Sequence, residues 1–230
     1  YKFALGGKNS HVIVQNPDDK AVVNSIVKVP ITLIRGSGVD LSQYEYKEEN
    51  NGNVKVSMAC RLLKDKGVFE YIDAAKILKQ KLPNVEFELY GDIDIHNPTS
   101  LINEDVEKIK KDGFVNVYGF SIDIEKVFCD SNIIVLPSYR EGLPKVLIEA
   151  AACGRAIVTT DVPGCRDAIE PNITGLLCEV KDTESLARMI EKLIMDEKLR
   201  NSMGYNGRKL AEQEFDINKV VEKHFEIYEG

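Results

Sequence analysis

Basic residues are in deficit in this chain. Its 230 residues carry 30 Lys and Arg against 37 Asp and Glu, a formal charge of −7. Nonspecific nucleic-acid binding needs a basic stripe, so no nucleic-acid partner is expected and any phosphate site must be local. Histidine is scarce, at three residues (His11, His96 and His224), and the five cysteines are odd in number, widely spaced and without a C-x-x-C pair. That pattern favours neither a zinc site nor a disulfide framework, and leaves Cys60, Cys129, Cys153, Cys165 and Cys178 as structural thiols. No apolar run is long enough to span a bilayer, and YKFALGGKNS at residues 1–10 lacks the apolar core of a signal peptide. A cytoplasmic protein is expected.

What is present is a chain with 43% apolar residues, enough for a sizeable core. Short apolar runs recur at Val54–Cys60, Val85–Tyr90, Phe114–Tyr118, Ile133–Leu136, Ala156–Thr160 and Leu176–Cys178, with helical patterns between most of them. The helix after Cys60 is marked by Val68, Ile72, Ala75 and Leu78 at helical spacing and is expected to run to about Lys79. Strands alternating with helices predict an α/β, Rossmann-like, doubly wound parallel sheet with helices on both faces. Such sheets bind ligands at the carboxyl ends of their strands. Three C-terminal helices are predicted from Asp182, Asp196 and Asp216, each Asp placed to cap a start. Upstream, His11–Val14 reads as a strand and Gln15–Asp19 as a turn into a helix. Gly36 and Gly38 are either a plain turn or a hinge.

Residues 138–154, SYREGLPKVLIEAAACG, set two glutamates seven residues apart, Glu141 before a predicted helix and Glu149 inside it. One strand-end crevice could present both to a single ligand. Pro144 suits the first helical position, because its missing N–H would be unsatisfied there anyway. Gly142 leaves room for a ligand against the backbone, and the free N–H groups of the first turn favour an anion. The plain alternative is that Lys145 and Glu149 form an ordinary i,i+4 surface pair and Glu141 is a solvated loop residue. The loop Arg61–Gly67 adds two cations suited to a diphosphate, Arg61 bidentately and Lys66 as a point charge. Asp92 and Asp94 invite a metal reading, but two exposed acids more simply face solvent.

The whole phrase from Glu141-Gly142-Leu143-Pro144 through Glu149 to Gly154, then Ala156–Asp161, Gly164 and Asn172–Leu177, resembles the retaining nucleotide-sugar glycosyltransferases of the GT-B fold with the E-x7-E signature. The resemblance covers nearly all of the chain. It implies the C-terminal half of a GT-B fold at residues 53–230, a linker at 35–52, and at 1–34 a remnant of the N-terminal acceptor domain. Arg61 and Lys66 occupy the positions that contact the diphosphate. Glu149 corresponds to the ribose ligand and Glu141, the catalytic candidate, to the residue that contacts the transferred sugar; Gly142, Leu143, Pro144 and Lys145 complete the donor loop. Gly91 matches a glycine turn near the donor. Phe120 either lines the base pocket or belongs to the core. Pro163 departs from the two glycines common at that point and puts any backbone contact there in doubt.

The activity implied is metal-free retaining transfer from a nucleotide sugar, a UDP-sugar above all, to a saccharide or lipid-linked acceptor in polysaccharide or lipopolysaccharide synthesis, with the donor as co-substrate and no cofactor. The acceptor would be held by the other half, and the whole protein could sit at the inner face of a membrane. This chain alone is expected to bind donor without transferring. A 2-epimerase of the same fold is the rival enzyme reading, against which the E-x7-E phrase argues; a non-catalytic nucleotide-sugar-binding module is the rival of another class.

Overall fold

The structure, a computed structural model, describes residues 5, 7, 10–50 and 52–229. The reading of residues 1–10 as lacking a signal-peptide core falls largely outside them. Two parallel sheets are present. The smaller pairs β1 (Val12–Val14) with β2 (Ile31–Leu33), joined by α1 (Pro17–Ile26). Asn16 caps α1: its side-chain oxygen accepts the Asp19 N–H at 2.7 Å, and Pro17 begins the helix where no N–H is needed.

The larger sheet has six parallel strands: β3 (Lys55–Ala59), β4 (Glu86–Tyr90), β5 (Asn116–Gly119), β6 (Ile133–Leu136), β7 (Ala156–Thr160) and β8 (Gly175–Cys178). Their spatial order is β5-β4-β3-β6-β7-β8. Every residue of β6 and β7 is buried, as expected of parallel strands covered on both faces; the two polar ones, Thr159 and Thr160, donate their hydroxyls to backbone carbonyls. β5, at the edge, is only partly buried. The intervening helices are α2 (Val68–Lys81), α3 (Asn103–Asp112), α4 (Ile124–Asp130) and α5 (Lys145–Ala152). After β8 come α6 (Thr183–Met195), α7 (Glu197–Leu210), continued as a π-turn over Ala211–Phe215, and α8 (Ile217–Glu229). α2 packs against α6, and α5 against α4 and α7, so helices cover both faces. Asp182, Asp196 and Asp216 accept backbone N–H groups at the three helix starts, as the sequence predicts.

The strand order fixes where a ligand can enter. From β3 the chain moves outward to β4 and β5, then returns to the other side of β3 as β6. The loops leaving β3 and β6 therefore part in opposite directions, and a crevice opens at their carboxyl ends. The stretch 34–54 connects the two sheets, and its described residues form no helix or extended ladder of their own. It is nonetheless packed: Ile34, Val39 and Tyr44 are buried, Gly36 abuts Leu143, and Val39 exchanges backbone hydrogen bonds with Phe215 and Ile217. In α8, Val220 is buried while Phe225 is 58% exposed.

Candidate functional site

Two glycines shape the crevice from its floor. Gly67 ends the 3-10 turn Lys64–Lys66 at φ 74°, and a Cβ there would lie 2.3 Å from the Pro137 carbonyl oxygen. Only glycine lets the loop after β3 press against the loop after β6, and that approach brings Lys66 beside Ser138 and Glu141. Gly91, at φ 138°, would place a Cβ 1.7 Å from the Cys60 carbonyl oxygen. Its absence lets the ends of β3 and β4 close together.

The loop residues meet as ion pairs. Glu141 Oε1 accepts from Lys66 Nζ and, at 2.7 Å, from Ser138 Oγ. Both charged side chains are mostly sheltered, Lys66 at 21% and Glu141 at 12% exposure. Glu149, buried in α5, accepts from the Tyr44 hydroxyl at 2.9 Å through Oε1, which also lies 3.3 Å from Lys145 Nζ. The i,i+4 pair read from the sequence is therefore present, but its carboxylate lines a cavity rather than the outer surface. Arg61 is exposed and held by Asp94 at 2.8 Å. A recess of about 200 Å³ between Arg61, Lys66, Glu141, Pro144 and Lys145 adjoins a cleft of about 680 Å³ lined by Tyr44, Arg61, Tyr90, Gly91, Phe120 and Glu149.

In the first turn of α5 the Leu147 N–H donates to the Pro144 carbonyl at 3.1 Å, which leaves the N–H groups of Lys145 and Val146 without an intrahelical acceptor, and this turn lines the recess. Pro144 takes the cap position rather than the first helical one: at ψ 121° it is extended, and α5 starts at Lys145. Gly142 does not leave open space beside its Cα, because Gln15 Oε1 lies 2.6 Å from where a Cβ would be. Its carbonyl accepts from Asn16 Nδ2 at 2.8 Å, tying the small sheet to the loop that carries Glu141. Leu143 turns into the core against Gly36, so only its backbone can face a ligand. At Pro163 the backbone contact is an internal one, its carbonyl accepting the Glu141 N–H at 3.4 Å.

Phe120 is 70% exposed on the rim of the larger cleft, which removes the core reading. Nearby, Tyr90 and Tyr118 stack with ring centroids 4.9 Å apart. Asp92 accepts the Phe120 N–H at 3.2 Å and Asp94 holds Arg61, so both acids read as a metal pair have protein partners. Among the described residues no three His, Cys, Asp or Glu side chains gather as a metal site, and no helix is long and apolar enough to cross a membrane. Desolvation pushes the Cys60 thiol at the cleft up to about 12, so it is no thiolate at neutral pH.

A larger cavity, about 760 Å³, lies at the opposite end of the sheet beside Glu49, Asn132, Arg155 and Arg200. Its two buried cations are already engaged: Arg155 donates to the carbonyls of Cys153, Ser131 and Lys47, and Arg200 pairs with Glu49 at 2.8 Å. The chemistry suited to an anionic ligand is at the carboxyl ends of β3 and β6. Sequence reasoning missed Tyr44, Ser138 and Asn16 there; no local pattern marks them, since Tyr44 and Asn16 act across 105 and 126 residues.

A family model described as glycosyl transferases group 1 matches residues 43–210. The capsular polysaccharide biosynthesis glycosyltransferase CapM of Staphylococcus aureus is 33% identical over 80% of the chain. An N,N'-diacetylbacillosaminyl-diphospho-undecaprenol alpha-1,3-N-acetylgalactosaminyltransferase of Campylobacter jejuni is 33% identical over 100% of it. The chain spans 48% and 62% of the length of these two relatives. Among solved structures, the sucrose-phosphate synthase of Thermosynechococcus elongatus superposes with a TM-score of 0.85 at 23% identity, over 99% of this chain and 59% of that one. Anabaena HepE in complex with UDP gives 0.78 at 21%, over 95% and 63%. The chain belongs to the group 1 family of glycosyl transferases, with the parallel sheet and helix layers of the GT-B fold.

Proposed function

We propose that this chain holds the nucleotide-sugar donor of a retaining glycosyltransferase, a UDP-sugar, at the crevice between β3 and β6. The observation that carries the reading is the convergence there of Arg61, Lys66 and the α5 N-terminus with Glu141 and Glu149. A diphosphate leaving with its bonding electron pair gains negative charge, and two cations with free helix N–H groups are a preorganised stabiliser of that charge. Glu149 accepts ribose hydroxyls and Glu141 a hydroxyl of the sugar; Phe120 borders the base. No metal is required, because the protein's own cations neutralise the diphosphate.

The whole protein transfers a hexosyl or N-acetylhexosaminyl group, with retention, to a saccharide or lipid-linked acceptor. Support comes from relatives whose names specify capsular polysaccharide and undecaprenol-linked substrates, including a UDP-Gal-dependent galactosyltransferase of Escherichia coli 24% identical over 98% of the chain. We assign residues 53–230 to the donor half, 35–52 to a linker and 1–34 to the half that binds acceptor, working on the cytoplasmic face of a membrane. Titration calorimetry tests the binding part: UDP should bind saturably and uridine far more weakly. Absence of saturable binding to any nucleotide would overturn the reading, as would sustained sugar transfer by this chain alone for the division of labour.

A further inference from the structure

We propose that Tyr44 is the positioning residue for ribose recognition: from the stretch between the two sheets, its hydroxyl anchors one oxygen of Glu149 so that the other faces the cleft. The inference rests on the donor-site reading above and goes beyond it, because Tyr44 lies outside the E-x7-E phrase.

Tyr44 is 5% exposed and tied to α5 at two points. Its O–H donates to Glu149 Oε1 at 2.9 Å, and its carbonyl accepts from Arg208 Nη1 at 2.8 Å. The same Arg208 nitrogen donates at 2.9 Å to the carbonyl of Ala152, the last residue of α5. The ring is thus held against the helix it serves. Oε1 of Glu149 receives both Tyr44 and Lys145, whereas Oε2 accepts no hydrogen bond among the described residues. The terminal torsion of a glutamate is broad and roughly two-fold, so an unheld carboxylate would present either oxygen at many angles. A fixed donor on Oε1 removes that freedom before the ligand arrives, which is where preorganisation raises affinity. Burial, followed by the charge of Glu149, keeps the Tyr44 hydroxyl protonated well above neutral pH, so the donor is constant.

Tyr44→Phe keeps the ring and removes the oxygen; Lys145 still contacts Glu149, so the fold should tolerate it. The chain and this variant are titrated with UDP and with its 2′,3′-dideoxy analogue, and melted without ligand. In the unsubstituted chain UDP should bind more tightly than the analogue. Tyr44→Phe should reduce that preference about fivefold, leave the analogue's affinity unchanged, and add nothing in a Glu149→Ala background. A preference that survives Tyr44→Phe, with or without a lower melting temperature, makes Tyr44 a packing residue and overturns the inference. If the unsubstituted chain binds UDP and its analogue equally, the roles of Tyr44 and Glu149 both fall while the diphosphate site stands. If it binds neither, the donor-site reading itself fails.

Discussion

Replacing Glu141 with Gln should tighten UDP rather than weaken it. From sequence alone the change is neutral for UDP, which carries no sugar for Glu141 to hold. The structure alters the expectation, because Glu141 occupies the Lys66 ammonium. On the proposed assignment of Lys66 to the diphosphate, UDP displaces a carboxylate before it pairs. The magnitude follows from burial: exposed pairs are worth up to about 1 kcal/mol and loss of a partner from a fully buried pair about 3–5 kcal/mol. With side chains 21% and 12% exposed, this pair lies between, at about 1–2 kcal/mol, or roughly five- to thirtyfold in affinity. The same release leaves Lys66 unpaired in the ligand-free chain, where about 1 kcal/mol lowers the melting temperature by about 2–4 °C. Calorimetry should therefore show tighter UDP, and thermal melts a lower midpoint that saturating UDP restores. The advantage of a UDP-sugar over UDP should shrink, and transfer by the full-length enzyme should fall. Weaker UDP binding in a folded Glu141→Gln variant would refute the exchange.

Arg61→Ala should weaken UDP by about ten- to a hundredfold while leaving uridine nearly unchanged, since a charge-assisted contact is worth about 1.5–3 kcal/mol and uridine has no phosphate; parallel titrations decide it. Glu149→Ala should weaken UDP and UDP-sugar alike, and the ribose nucleotide more than its dideoxy analogue, the opposite pattern to Glu141→Gln. Gly91→Ala should prevent or severely impair folding, read by circular dichroism and soluble yield, because its Cβ would fall 1.7 Å from the Cys60 carbonyl oxygen and neither backbone can yield.

Legibility in the sequence followed burial. β6 and β7 have the bounds the short runs imply, because central parallel strands are buried along their whole length, and the two polar residues of β7, Thr159 and Thr160, donate their hydroxyls to the Leu136 and Ser138 carbonyls. β5 sits about two residues later than Phe114–Tyr118: Val115 is apolar because it packs in the core, not because it pairs, and the ladder shifts register at Leu89/Tyr90. Pro144 suits either of two adjacent positions at a helix start, and pattern alone does not choose between them. The cations and glutamates were legible as a group, but not the fact that they pair with one another. Lys66 and Glu141 are 75 residues apart and meet only because Gly67 can press against Pro137. Tyr44, Asn16 and Ser138 carry no motif of their own.

The location of the site is tested most directly by mapping UDP onto the backbone amides of the isotopically labelled chain by NMR. Saturable shifts should concentrate at Cys60–Gly67, Gly91–Asp92, Gly119–Phe120 and Ser138–Glu149, the loops leaving β3, β4, β5 and β6. Shifts centred instead on Glu49, Asn132, Arg155 and Arg200, at the opposite end of the sheet, would contradict it.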